Sequence, residues 1–237
     1  MDPRLAPHSA RFVENRKSEL GTILDALERG DYHAIRTIGH NLKGAGGGFG
    51  MMAVSDLGKT LESAAMERNA EVVRTVVDAL RDYLGRVKLV FNRAALDAPP
   101  PHAAEPRGAP LRKIVVVDDD RDIRELLLAV LGEEGYDVEV VPNGLKLVRA
   151  LRVDRPDLII LDVMMSWING FDLCRSIKQN REFSGIPIVF ISARTQAADI
   201  QRGMECGAVA YLTKPLDIDR VLTCVRKVLD AQVERHI

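Results

Sequence analysis

Two kinds of hydrophobic spacing divide the chain. From about Ser9 to Phe91 apolar residues recur every three to four positions, the period of amphipathic helices. Phe12, Val13, Leu20, Ile23, Leu24 and Leu27 form the first run, which Gly30 and Asp31 interrupt. Asp31 is placed to cap a second helix carrying Ile35, Ile38 and Leu42. That helix runs into a glycine-rich end: Gly44, Gly46, Gly47, Gly48 and Gly50. A third helix is predicted from about Val54 to Glu67, with Ser55 as its cap and Leu57, Leu61 and Ala64 facing inward. A fourth is predicted from about Ala70 to Ala94. Four helices joined by short turns make a four-helix bundle.

Beyond residue 110 the pattern changes to short apolar runs alternating with helical stretches. Strands are predicted at Ile114–Val117, Val138–Val141, Leu158–Leu161, Ile188–Ile191 and Ala210–Leu212. Helices are predicted near Ile123–Glu133, Leu145–Leu151, Phe171–Lys178, Ile200–Cys206 and Ile218–Leu229. Five strand–helix units predict a doubly wound (βα)5 parallel sheet of the flavodoxin-like kind, with helices on both faces. The fold class is therefore α plus α/β: a helical bundle at residues 1–94 and a parallel α/β domain at residues 111–237. Between them, residues 95–110 hold Pro99, Pro100, Pro101, Pro106 and Pro110, five of the chain's 11 prolines. Proline blocks helix and removes donors, so this segment reads as an extended linker.

Composition narrows the function classes. The 237 residues carry 33 Lys plus Arg against 34 Asp plus Glu, a net charge of -1. That balance excludes a polybasic nucleic-acid or membrane binder, and no apolar run reaches membrane-spanning length. The N-terminus has no apolar core of a secretory signal. Cys174, Cys206 and Cys224 form no CxxC pair, which suits a reducing cytoplasm. No phosphate-binding glycine loop of an ATP site is present.

The candidate chemistry lies at the strand ends, where parallel α/β sheets bind their ligands. The first strand ends in Asp118, Asp119 and Asp120, the third in Asp162, the fourth in Ser192, and the fifth is followed by Thr213, Lys214 and Pro215. Carboxylates converging on one rim repel each other unless a cation joins them, and an all-oxygen donor set suits Mg²⁺. A carboxylate beside that ion, with a lysine and a hydroxyl nearby, can accept a phosphoryl group. The segments IVVVDDD, LIILDVMMSWING, PIVFISA and AYLTKPLD resemble a response-regulator receiver domain over nearly all of residues 111–233. The spacings agree: Asp162 follows Asp118 by 44 positions, and Ser192 and Lys214 follow Asp162 by 30 and 52. The resemblance implies that Asp162 is the phosphoacceptor. It makes Asp118 and Asp119 the acid pair, with Asp119 a direct Mg²⁺ ligand and the Met164 carbonyl completing the metal site. It makes Ser192 the switch hydroxyl, Lys214 the phosphate partner, Tyr211 an aromatic that swings in or out, and Pro215 the second residue of a cis peptide. Met164 and Arg194, two positions after acceptor and switch serine, border the route of attacking water. The family usually has proline four residues after the acceptor; here Ser166 stands there, followed by Trp167, the only tryptophan.

In the helical half the motif is GHNLKGAGGGFG around His40. His40, Lys43, Gly44 and Gly47 share one helix face at i, i+3, i+4 and i+7. That face is expected to be open, with the imidazole on the surface, a cation one turn away and bare backbone beyond. Each glycine inside a helix costs about 1 kcal/mol against alanine, and clearance for a docking partner would explain them. The pattern resembles the histidine phosphotransfer (HPt) domain over about Ser9 to Arg93. The resemblance implies His40 as phosphoacceptor, Lys43 as phosphate neighbour, and Gly44 as docking clearance. His8, His33, His102 and His236 lack such surroundings.

Together these readings predict a phosphorelay protein whose phosphoryl group comes from a separate sensor histidine kinase, another receiver or HPt protein, or a small acyl phosphate. Output is expected through protein contacts, since no further domain is seen after Ile237. Three arrangements fit. His40 and Asp162 exchange a phosphoryl group by intramolecular docking, which a linker reaching roughly 50 Å in polyproline form allows. Each domain serves a different external partner. Or the receiver is a phosphorylation-controlled binding switch, its face near Ile200–Tyr211 and Ile218–Leu229 holding a partner, with the HPt domain a phosphate sink or scaffold.

Overall fold

The computed structural model describes residues 6–87, 111–165 and 168–233. The chain forms two compact units, divided near residue 98. The predicted linker at 95–110, the helical extension to Ala94, and Ser166 and Trp167 lie outside the described residues.

The first unit contains α1 (Ala6–Glu28), α2 (Tyr32–Gly48), α3 (Met52–Met66) and α4 (Ala70–Arg86). Its core is the predicted apolar stripe: Phe12, Ile23, Ile35, Leu42, Val54, Leu61, Val73, Val77 and Leu80 are buried. Phe12 stacks on Phe49 at 4.4 Å between ring centroids, tying α1 to the end of α2. The helix starts are set by side-chain acceptors. Asp31 accepts from the Ala34 amide and Asn69 from the Val72 amide, satisfying donors that the helix itself leaves unpaired. Ser55 is not a cap. Helix α3 begins three residues earlier than Ser55, after Met51, and the Ser55 hydroxyl instead donates to the Lys43 carbonyl of α2 at 3.0 Å.

Helices α2 and α3 pack unusually closely, and glycine is the reason. A Cβ on Gly39 would lie 2.6 Å from the Glu62 amide nitrogen. One on Gly46 would lie 2.7 Å from that of Ser55, and one on Gly58 2.4 Å from that of Lys43. These neighbours are backbone atoms that cannot rotate aside. Part of the glycine content thus serves contact between two helices of the same domain.

The second unit is a five-stranded parallel sheet in the order β2-β1-β3-β4-β5. Its strands are β1 (Lys113–Val117), β2 (Asp137–Val141), β3 (Leu158–Asp162), β4 (Ile188–Ser192) and β5 (Ala210–Thr213). Strands β1, β3 and β4 are almost wholly buried, which explains their continuous apolar runs. The intervening helices are α5 (Arg121–Glu133), α6 (Gly144–Val153), α7 (Gly170–Gln179) and α8 (Ala197–Glu205), and α9 (Ile218–Val233) follows β5. Right-handed crossovers place α5 on one face and α6, α7 and α8 on the other. An ion pair from Arg226 to Glu134 at 2.6 Å joins α9 to the end of α5. The strand order changes direction between β1 and β3, so the carboxyl ends of these neighbours open the cleft that such sheets use.

Candidate functional sites

At the mouth of that cleft the parallel register sets four side chains side by side. Val117 pairs with Leu161, which brings the next residues, Asp118 and Asp162, to the same rim. Asp162 pairs with Ile191, and Ser192 with Thr213. The Lys214 amide then donates to the Ser192 carbonyl at 2.7 Å, and the Lys214–Pro215 peptide is cis, as expected.

Lys214 is the centre of the site. Its ammonium donates to Asp118 Oδ2 and to Asp162 Oδ2, both at 2.8 Å, and all three side chains are buried. Burial opposes the charge on Lys214, yet the two carboxylates hold its pKa above the usual lysine value. Asp118 shows the opposite strain. Burial, with the charges of Asp162 and Asp120, drives its pKa well above the ordinary carboxylate value, although Lys214 pulls it down. One oxygen of Asp162 accepts from the Met164 amide at 3.0 Å, and one of Asp118 from the Asp120 amide at 2.8 Å.

Oxygens of Asp118, Asp119 and Asp162 lie within 4.8 Å of one another. Three carboxylates converge here, two of them buried with the one Lys214 ammonium between them, and burial makes their mutual repulsion costly. A divalent cation with oxygen preference fits this donor set, so the residues suit the Mg²⁺ that receiver domains use.

The described residues of the flanking loops are closely packed. A Cβ on Gly170 would lie 2.2 Å from the Asp162 carbonyl oxygen, so α7 starts directly against the backbone of Asp162. A bridge between Met164 and Asn169 closes the same loop. On the other side Ser192 is buried, and its hydroxyl accepts from the Arg194 amide at 3.1 Å. Arg194 donates through Nε to Met164 Sδ at 3.0 Å and through Nη1 to Asp199 at 3.0 Å. The two residues picked out as bordering the water route therefore touch. Tyr211 is half-buried, its hydroxyl donating to the Arg194 carbonyl at 3.1 Å, and burial raises its pKa.

In the helical unit His40 projects from α2 beside α3. Its Nδ1 lies 3.1 Å from Glu62 Oε1, and Lys43 Nζ donates to Glu62 Oε2 at 3.2 Å. The hydrogen bond from His40, aided by the charges of His40 and Lys43 against a burial penalty, holds the Glu62 carboxyl down to about 2. An ionised carboxylate only accepts, so Nδ1 carries the proton. Neutral His40 then has its lone pair on Nε2, which makes no hydrogen bond.

Two expectations are corrected here. His40 was expected on an open surface, but its side chain is only 15% exposed, because Glu62 draws the ring against α3. Gly44 was expected as bare backbone beside it, yet Gly44 is buried and Gly47 half-buried. Glu62 was missed by the sequence reading. Its signal was a carboxylate one turn after Gly58 on a helix face that otherwise carries small and apolar residues.

Comparisons with known proteins cover both units. Residues 10–89 match the Hpt domain family, and residues 114–226 match the response regulator receiver domain family. The receiver half is 40% identical over 115 residues to the DNA-binding response regulator MtrA of Mycobacterium tuberculosis, covering 48% of this chain and 49% of MtrA. It is 39% identical over 116 residues to the transcriptional regulatory protein CseB of Streptomyces coelicolor, covering 49% of this chain and 48% of CseB. The chain thus spans about half the length of these relatives. Among solved structures, a CheY-like response regulator receiver domain protein from Methanospirillum hungatei matches with a TM-score of 0.50 at 23% identity, covering 53% of this chain and 99% of that one. That likeness speaks for the fold alone. Among the described residues no helix is long and apolar enough to cross a membrane. The chain joins an Hpt domain to a response regulator receiver domain, two signalling modules without a kinase domain, and this pairing marks it as a two-component phosphorelay protein.

Proposed function

We propose that the chain carries a phosphoryl group at two places, on His40 Nε2 of the Hpt domain and on the carboxylate of Asp162 in the receiver domain. The observation that carries this reading is the position of Lys214, 2.8 Å from both Asp118 and Asp162. A lysine shared by two carboxylates can follow an incoming phosphoryl group and neutralise its oxygens while it still pairs with Asp118. In a transfer to the receiver, an Asp162 oxygen bonds phosphorus as the bond to a donor imidazole breaks, and that bond's electron pair returns to the ring nitrogen. In the reverse sense His40 Nε2 is the nucleophile, and Glu62 keeps the proton on Nδ1 so that the lone pair stays on Nε2, a buried atom that a docking partner has to uncover. Asp118, Asp119 and Asp162, with the Met164 carbonyl that the family resemblance adds, would hold Mg²⁺, which supplies positive charge for the phosphoryl oxygens. The rest is positioning. The partners in this reading are a sensor histidine kinase and other receiver or Hpt proteins, met in the cytoplasm, or the chain's own second domain.

The experiment uses purified protein, Mg²⁺ and radiolabelled acetyl phosphate, with wild type, Asp162→Asn and His40→Gln. Base-labile label on Asp162 that is lost in Asp162→Asn supports the receiver assignment. An acid-labile fraction that requires both residues supports exchange between the two sites. Labelling of Asp162→Asn equal to wild type overturns the reading.

A second reading, a phosphorylation-controlled binding switch, draws on the link from Ser192 through Arg194 to Tyr211. It requires partner binding that depends on Asp162 and ignores His40.

A further inference from the structure

Helix α8 is lightly anchored. Of its nine residues only Gly203 is buried; Asp199 and Ile200, one turn earlier on the same face, are half-buried. The position that points most directly into the molecule therefore has no side chain. What fills the space is Tyr211 from β5. A Cβ on Gly203 would lie 2.8 Å from Tyr211 Cδ2, 3.1 Å from Tyr211 Cε2 and 3.2 Å from Phe190 Cδ2. The Tyr211 ring packs on Phe190 with centroids 5.9 Å apart, and Phe190 meets Phe171 edge-on at 5.3 Å. The ring is thus backed by rigid aromatics and has α8 as its remaining wall.

The other end of the same tyrosine reaches the phosphorylation site. Its hydroxyl donates to the Arg194 carbonyl, and the Arg194 amide donates to Ser192 Oγ. The Arg194 guanidinium pairs with Asp199 in the first turn of α8. Two attachments of α8, the ring under Gly203 and the ion pair at Asp199, therefore lead back to the one residue that Ser192 holds; a third, the Arg202 guanidinium 4.8 Å over the Phe171 ring, does not.

We infer that Gly203 is a positioning residue: it opens the seat that lets Tyr211 lie under α8 with its hydroxyl on the Arg194 carbonyl, and so ties the placement of α8 to Ser192. The inference rests on the reading of Ser192 and Tyr211 as parts of the phosphorylation site. Alanine at 203 would meet the ring at 2.8 Å and Phe190 at 3.2 Å, so the ring must give way. The hydroxyl then loses Arg194, and α8 keeps the half-buried Asp199 pair and the Arg202 contact on Phe171.

The test uses the full chain with labelled tyrosine, Tyr211 assigned by Tyr211→Phe. In wild type, ring protons of Tyr211 should show nuclear Overhauser contacts to Phe190 and to the Gly203 α-protons. Gly203→Ala should lose the contacts to Phe190, while Gly132→Ala, on α5 with nothing within 4 Å of its Cβ, should keep them. Retained Tyr211–Phe190 contacts in Gly203→Ala overturn the inference. Urea unfolding guards against a variant too unstable for spectroscopy. Gly203→Ala should lower the receiver midpoint when Tyr211 is present and should raise it in a Tyr211→Ala background. Equal lowering in both backgrounds also overturns the inference. Labelling of Asp162 by acetyl phosphate, measured in parallel, separates the two levels. If wild type does not label, the phosphorylation reading fails, while the ring contacts still report whether Gly203 makes the seat.

Discussion

Gly58→Ala is the sharpest test of how the histidine site is built. The added methyl would sit 2.4 Å from the Lys43 nitrogen, 2.7 Å from Leu42 Cβ and 2.8 Å from the Leu42 carbonyl carbon. Carbon contacts settle near 3.5–4.0 Å, so α2 and α3 must part by roughly 1 Å. Glu62 lies one turn from Gly58 on α3. Parting by that amount takes its bonds to His40 and Lys43 from 3.1 and 3.2 Å to about 4 Å, outside hydrogen-bond reach. Overpacking costs about 1–3 kcal/mol, and the lost charge-assisted bonds cost about 1.5–3 kcal/mol. Alanine returns about 1 kcal/mol of helix propensity. The net expectation is a loss of about 1.5–5 kcal/mol, against a small gain for Gly85→Ala, whose Cβ meets nothing within 4 Å. Urea unfolding followed by circular dichroism gives the energy. Nitrogen shifts of labelled histidine, with His40 assigned by His40→Gln, give the tautomer. Wild type should hold its proton on Nδ1, and Gly58→Ala should show a mixed population. A Gly58→Ala protein as stable as wild type with an unchanged His40 spectrum would refute the argument that glycine sets the reach of Glu62.

Further outcomes follow from the charges. Glu62, held down to about 2 from an ordinary 4.5, adds stability that is complete above pH 4.5 and drains away as pH falls toward 2. The stability difference between wild type and Glu62→Gln, about 1–2 kcal/mol at pH 7 once solvent screening is allowed for, should shrink across that window in acid titrations. Asp118→Asn removes a carboxylate that burial and its acidic neighbours oppose. Its melting temperature without Mg²⁺ should rise above wild type, and the stabilisation that added Mg²⁺ gives wild type should vanish. Lys214→Met leaves two buried carboxylates uncompensated, at a cost of about 3–5 kcal/mol. Calorimetry should show that loss in the absence of Mg²⁺ and a larger rescue by Mg²⁺ than in wild type.

What could be read in the sequence depended on how local the cause was. The strands and their terminal Asp118, Asp162 and Ser192 were legible because a parallel sheet turns residue order directly into a shared rim. Lys214 followed from its place just after the fifth strand and from the receiver resemblance, and the acid cluster from charge repulsion. The histidine site was legible only as far as its own helix. A helical wheel puts His40, Lys43 and Gly44 on one side, but it does not say which side a neighbouring helix covers. That depended on Gly39 and Gly58 meeting the backbones of Glu62 and Lys43, contacts between residues about twenty positions apart. Ser55 misled for a related reason. A serine near a helix start looks like a cap, but α3 begins earlier at Met52, which turned the hydroxyl toward the Lys43 carbonyl. Gly203 gave no signal at all, since a glycine in a short amphipathic helix looks like a weak position until the tyrosine beneath it is placed.

The two sites also differ in how much chain must exist before each can form. His40 and Glu62 are 22 positions apart on one helical hairpin. Lys214 and Asp118 are separated by 96, and the strand that delivers Lys214 is the last of the sheet. A ribosome adding about 5–20 residues per second emits the histidine hairpin roughly 7–30 s before β5 is complete. During that interval a growing chain can pair its imidazole with Glu62, while its aspartates sit on an unfinished sheet without Lys214. The histidine site is therefore born early and alone, and the aspartate site comes into being only when the whole parallel sheet closes.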